Sequence, residues 1–136
     1  MKWVTWEYIG VDRMACAWLI RTRLDPAAEF EFIPVAAEVP PDAEAFDIPG
    51  ARYSHHGGRS SFAALVAASG LDDPVLHRLA RLVDEADVPG EVSVEPAAPG
   101  LDLICRGLRR TCPDDAAAVE RAILLYEALC AELAHA

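Results

Sequence analysis

Ten consecutive residues, Tyr53-Ser54-His55-His56-Gly57-Gly58-Arg59-Ser60-Ser61-Phe62, gather two imidazoles, a guanidinium, hydroxyls and two glycines. The pattern places them where a strand ends and a helix begins. Histidines there can ligate a metal or carry a proton near neutral pH. Gly57 and Gly58 let the backbone come close to a ligand. A helix starting near Ser60 offers unpaired N–H groups and the positive end of its dipole. Arg59 adds a fixed, forked charge. Together His55, Arg59, Ser60 and Ser61 predict a cradle for an oxyanion or a carboxylate. The alternative is a glycine turn with solvated histidines, since H-H-G-G alone is not a specific motif.

Two further groups carry charge in places that need explaining. Arg13 falls in the first turn of a helix, close to the positive end of that helix's own dipole, where a cation is disfavoured. It is easier to place if it faces an anion or a carboxylate. Its neighbour Asp12 is either an N-cap or part of the same ligand-binding group. In the run Leu82-Val83-Asp84-Glu85-Ala86-Asp87, a helical period puts Asp87 on the arc of Leu76, Leu79, Ala80 and Val83. A carboxylate on an apolar face near a helix C-terminus calls for a cation, a metal or strong hydrogen bonds. The other reading is a frayed helix end with Asp87 in water. His77 and Asp84 read as a solvated polar edge.

The elements that must position these groups can be traced from the pattern. Residues 2–8 alternate as a strand ended by Gly10, and a helix begins at Gly10 or Asp12 and runs to about Leu24. Asp25-Pro26 stops it, because the residue before proline resists helix. Phe30–Ile33 predicts a second strand, Ala45–Ile48 a short third, and Ala51–His55 a fourth after the Pro49-Gly50 turn. A short helix follows from about Ser60 to Ala68, capped by Ser60 or Ser61 and closed by Gly70. A third starts at Asp73-Pro74 and ends before Pro89-Gly90. Residues 90–99 read as loop, and a fourth helix spans about Gly100–Arg110. A fifth begins at Cys112-Pro113-Asp114-Asp115, with Val119, Ile123, Tyr126, Cys130 and Leu133 as a clear stripe. The expected fold is α/β (with α+β the alternative): a small sheet of about four strands with helices packed on it.

Length and composition bound the function. The chain has 136 residues, 53% apolar and 25% charged, which predicts one domain with its own core. Net charge is −10, from 22 acidic and 12 basic residues, a balance that disfavours general nucleic-acid binding and anionic membranes. A locally basic pocket for a small anion remains compatible with it. No apolar run approaches the ~18 residues of a membrane span, and the N-terminus has no signal-peptide core, so a cytoplasmic location is expected. Cys16, Cys105, Cys112 and Cys130 show no metal-type spacing and read as reduced, buried thiols. No Walker loop, Rossmann fingerprint or G-x-S-x-G elbow is present.

The run Val11-Asp12-Arg13-Met14-Ala15-Cys16-Ala17-Trp18-Leu19-Ile20-Arg21 with Asp25-Pro26 resembles the chromate-resistance family, the C-terminal domain of ChrB-type chromate-responsive regulators. Phe46–His55, Gly57, Ser61-Phe62, Leu101, Gly107-Leu108-Arg109 and Pro113-Asp114-Asp115 extend the likeness over nearly the whole chain. The resemblance implies an accessory or sensing domain in chromate or redox-metal resistance, without the DNA-binding portion of the regulators. It also implies a metal or redox site of His, Glu, His and Asp, of which this chain keeps His55 and Asp87. Gly58, Ser60 and Ala63 stand where the family has an acid, a cysteine and a glutamate, so thiol chemistry at the helix start is not available. His56 and Asp84 are the substitutes that could complete a site for Mn, Fe or Zn with His55 and Asp87.

Three readings follow. One is a binding module that holds an oxyanion or small anion through Asp12, Arg13, His55, Arg59, Ser60 and Ser61. The second is a small repurposed enzyme, with His55 or His56 as general base and Arg13 polarising a substrate oxygen. The third is an interaction protein that forms a homodimer through the helix at 114–134.

Overall fold

The computed structural model describes residues 1–90 and 93–135. Three parallel strands form the sheet: β1 (Lys2–Trp6), β2 (Glu29–Ile33) and β3 (Glu44–Ala45), in the order β2-β1-β3. Val4 pairs with Glu31 on one side and with Ala45 on the other. The described helices are α1 (Val11–Leu19), α2 (Ser61–Ser69), α3 (Pro74–Asp87), α4 (Ala98–Arg110) and α5 (Asp115–His135). The fold is α/β, as expected, with three strands in place of four.

The fourth strand expected at Ala51–His55 is absent. Gly50 takes φ +84°, and the Ala51 N–H closes a tight turn on the Ile48 carbonyl at 3.0 Å. Ala51 therefore packs on Val4, Ile33 and Ile48, and only Tyr53 forms a bridge, to Phe46. The third strand is also shorter than expected. Asp47 adopts φ +51°, a left-handed conformation that ends extended pairing and that aspartate tolerates better than most residues.

The first helix ends where Asp25-Pro26 predicts, but its last turn is π-helical, over Ile20–Leu24. The Thr22 hydroxyl donates to the Trp18 carbonyl at 2.7 Å, and the Asp25 N–H reaches the Ile20 carbonyl at 2.7 Å. The N-cap of α1 is Gly10, so Asp12 lies inside the helix and its carboxylate is free for other work. Ser60 caps α2 through its hydroxyl, Gly70 closes it at φ +73°, and Asp73 caps α3, all as read from the sequence. Helix α4 begins two residues earlier than expected, at Ala98.

Helix α1 is the hub of the core. It packs against α2, α3, α4 and α5, and Met14, Ala15, Cys16, Trp18, Leu19 and Ile20 are buried. The α5 stripe turns inward: Val119, Tyr126 and Cys130 are buried, and the Tyr126 ring stacks on Trp18 with centroids 6.0 Å apart. The Tyr126 hydroxyl donates to the Val11 carbonyl at 2.8 Å, which fixes α5 across the start of α1. At the other end, the Asp115 carboxylate accepts the Tyr8 and Ile9 N–H groups, each at 2.9 Å, and pairs with Arg109 at 2.9 Å. Tyr8 is left-handed, at φ +63°, so these bonds hold a strained turn between β1 and α1. All four cysteines are free and buried. Among the described residues no helix is long and apolar enough to cross a membrane.

Candidate functional site

In this strand order the two neighbours of β1 lie on opposite sides of it, and ligands in open parallel sheets tend to bind beyond the carboxyl ends of the strands at such a point. Asp12 and Arg13 follow β1, and Asp47 follows β3. His55 comes from the loop before α2, and Asp87 is the last residue of α3. Four separated segments thus meet at one place.

Asp12 is only 2% exposed. Its two oxygens accept the N–H groups of Ser61 at 2.9 Å and Phe62 at 2.8 Å, so it caps α2 from a different helix. The Cys16 thiol lies 3.8 Å from it, one turn along α1. Asp47 accepts the Ser61 hydroxyl at 2.7 Å and pairs with Arg13 Nε at 3.3 Å. Arg13 is also held by Thr5 Oγ1 at 3.1 Å and by the Asp47 carbonyl at 2.9 Å. The cation in an unfavourable first turn faces a carboxylate, as its position required.

His55 Nε2 lies 3.1 Å from Asp12, 3.1 Å from Asp87 and 3.5 Å from Asp47. A ring nitrogen carries at most one hydrogen, so it cannot satisfy three carboxylates. The charges are unbalanced as well: three carboxylates face Arg13 and one imidazole. Burial, then Asp47 and Asp87, push Asp12 up from an ordinary 3.8 to about 7, against the pull of the two N–H groups. Asp87 is raised by burial and by Asp47, while His55 and Arg13 oppose the shift. Asp12, His55 and Asp87 each offer one ligand atom, and these atoms lie within 4.8 Å of one another. Hard oxygens with one imidazole suit Mn, Fe or Zn. A cation among them would both balance the charge and occupy the lone pair of the nitrogen, so the donor set fits a divalent metal.

The residues expected in this site divide. His55 and Asp87 meet, so the carboxylate on the apolar arc has found its partner. His56 and Asp84 do not join them. His56 is exposed, with its ring 3.5 Å from the Arg52 carbonyl. Asp84 accepts Ser60 N–H at 2.9 Å, Ser60 Oγ–H at 2.6 Å and Arg59 Nε–H at 2.9 Å. Asp84 is therefore a second outside cap on α2 and not a solvated edge.

The expected anion cradle is filled from within. The N–H groups of Ser60, Ser61 and Phe62 go to Asp84 and Asp12, and that of Ala63 goes to Ser60 Oγ. Arg59 pairs with Asp84, and Arg13 pairs with Asp47 through Nε and Nη2, which leaves Nη1 without a partner among the described residues. Asp47 and Thr5 were missed as site residues. The Asp47 signal was available: an aspartate just before Ile-Pro-Gly is well suited to a left-handed turn.

The family of the ChrB C-terminal domain matches residues 3–133. The chain belongs to the ChrB C-terminal domain family. Its likeness to "Protein ChrB" of Cupriavidus metallidurans extends over 129 residues at 38% identity, 94% of this chain and 39% of that protein. The chain thus spans about two fifths of the curated relative it matches. No solved structure matches it. The chromate-resistance family read from the sequence is therefore the family of this chain, and the site described above is built within a ChrB C-terminal domain.

Proposed function

We propose that this ChrB-family domain serves chromate resistance as a divalent-cation-binding, sensing or accessory module, with Asp12, His55 and Asp87 as the ligands. Asp47 stands behind them and holds Arg13. One observation carries the reading: a single ring nitrogen faces three carboxylate oxygens within 3.5 Å. A proton there satisfies one of them, whereas a divalent cation would be held by both Asp12 and Asp87, with Asp47 already partnered by Ser61 and Arg13. An oxyanion is disfavoured at the same spot, because the carboxylates outnumber the free positive charge. A role for His55 as a free general base is disfavoured too, since its Nε2 is already enclosed.

Loading purified protein with manganese, iron(II) or zinc and measuring bound metal by elemental mass spectrometry tests this. Near-stoichiometric metal in the wild type, lost in His55→Ala and Asp87→Asn but kept in Asp84→Asn, is the expected result. Loss in Asp84→Asn alone would move the site to the outer cap. No metal in the wild type at millimolar loading would overturn the proposal. Binding should weaken on acidification, because protons compete for Asp12.

A further inference from the structure

A cavity of about 430 Å³ opens beside the carboxylate–histidine cluster, walled by Trp6, Arg13, Asp47, Ile48, Pro49 and His55. We propose that this cavity binds a small organic carboxylate, with the carboxylate on Arg13 and the apolar body against Trp6, Ile48 and Pro49. The inference deepens the cation-site reading by naming a ligand class, and it rests on that reading for the cation's share of the binding.

Arg13 supplies the recognition. Thr5 and Asp47 hold its Nε and Nη2, so the guanidinium is fixed in place. Among the described residues no hydrogen bond is made by Nη1, and the side chain keeps 22% of its surface exposed. Its Cζ lies 5.7 Å from the centre of the Trp6 ring, so charge and aromatic surface are side by side. A planar carboxylate suits such a fixed fork. The walls decide between an organic and an inorganic anion. Trp6, Ile48 and Pro49 give apolar surface that a bare tetrahedral oxyanion could not use. The volume falls in the range of small-molecule pockets, roughly 300–1,000 Å³.

The same cluster makes the binding conditional. Three carboxyl groups, Asp12, Asp47 and Asp87, crowd the single guanidinium of Arg13, so an anion approaches an unfavourable field until a cation is present. A divalent cation reverses that sign. His55, 44% exposed, stands between cluster and cavity, so cation and carboxylate would occupy adjoining ground.

Tryptophan indole N–H resonances of ¹⁵N-labelled protein report on the cavity. The Trp3 indole donates to Asp25 at 3.0 Å and the Trp18 indole to Glu127 at 2.7 Å, whereas that of Trp6 is buried with no acceptor. The Trp6 signal should therefore be distinct. Benzoate is the probe, with benzamide and sulfate as controls, in zinc-loaded and zinc-free protein. A saturable Trp6 shift with benzoate, at least about tenfold tighter with zinc and weak or absent with both controls, is expected; tenfold corresponds to about 1.4 kcal/mol. Arg13→Gln should abolish it. Pro49→Glu, at an exposed rim residue, should weaken it at least about tenfold by repulsion, again about 1.4 kcal/mol, with an unchanged circular dichroism spectrum showing that the turn is kept. No saturable Trp6 shift in zinc-loaded protein overturns the proposal, as does an equal response to benzamide or to sulfate. If zinc itself fails to bind, the cation reading falls. The zinc-free titration then decides: a Trp6 shift lost in Pro49→Glu keeps the carboxylate pocket, and no shift removes it.

Discussion

Replacing Asp12 by asparagine should make the protein gain on the wild type as pH rises. The buried carboxylate is raised from 3.8 to about 7, so the folded state holds its proton more tightly than the unfolded chain does. Stability from that proton is fully present below the unfolded value and is lost as pH climbs through the folded one. From about pH 5, where the unfolded carboxyl has already ionised, to about 7 is about two pH units, which at 1.36 kcal/mol each set an upper limit of about 3 kcal/mol. Asp87 is raised too and shares the proton, so about 2 kcal/mol is the working figure. Asparagine imitates the neutral acid at every pH. It carries a constant penalty, since its amide nitrogen cannot accept and one of the Ser61 and Phe62 N–H groups loses its acceptor, but a constant offset cancels when two pH values are compared. Urea unfolding followed by circular dichroism, at about pH 5 and about pH 8, gives the gap between variant and wild type. The gap should move in favour of the variant by about 2 kcal/mol between the two. Saturating zinc at the higher pH should restore the wild type and leave the variant nearly unchanged. A gap that stays constant would refute the idea that Asp12 is a carboxylate held under charge stress.

Other expectations follow from the same contacts. Tyr126→Phe removes the hydroxyl that donates to the Val11 carbonyl and should cost about 1–2 kcal/mol in urea unfolding; no change would mean that bond contributes nothing net. Asp115→Ala strands two backbone N–H groups and Arg109 and should cost about 3 kcal/mol or more, read by the same method. Burial pushes the Cys16 thiol well above its usual range, and Cys105 and Cys130 to about 11. A disulfide reagent at neutral pH should therefore leave native protein nearly unlabelled and label it on unfolding. Rapid native labelling would contradict the burial.

What the sequence disclosed follows the reach of its physics. Asp87 and Arg13 were legible because each violates a local rule, one by placing charge on an apolar arc and the other by placing a cation at the positive end of a helix. Both violations were resolved by long-range partners. Ser60, Gly70 and Asp73-Pro74 were legible because caps act within a few residues. Asp12 was read as an N-cap of its own helix or a ligand-binding residue, and Asp84 as a solvated edge or a metal ligand, and neither reading contained a cap on another helix. Each in fact caps α2, across 49 and 24 residues of chain, a relation that periodicity does not encode. The fourth strand failed for a similar reason: alternation at 51–55 describes a face to be buried, but it does not say which surface buries it. The anion cradle was recognised as a set of donors, and what the sequence concealed is that the protein supplies the acceptors itself.

The capping of α2 from outside also bears on the order of folding. A helix of nine residues is too short to persist alone in water, where about 12–15 residues are already marginal. Its start is held by one carboxylate from α1 and another from α3. Helix α2 must therefore wait until both of those helices are in place, and it belongs to the late steps of assembly. By reversibility, its amides should exchange through an opening that leaves α1 and α3 in place. The last turn of chain to settle is then the one that carries Ser61 and Phe62 against Asp12, so the finished site and the finished fold arrive together.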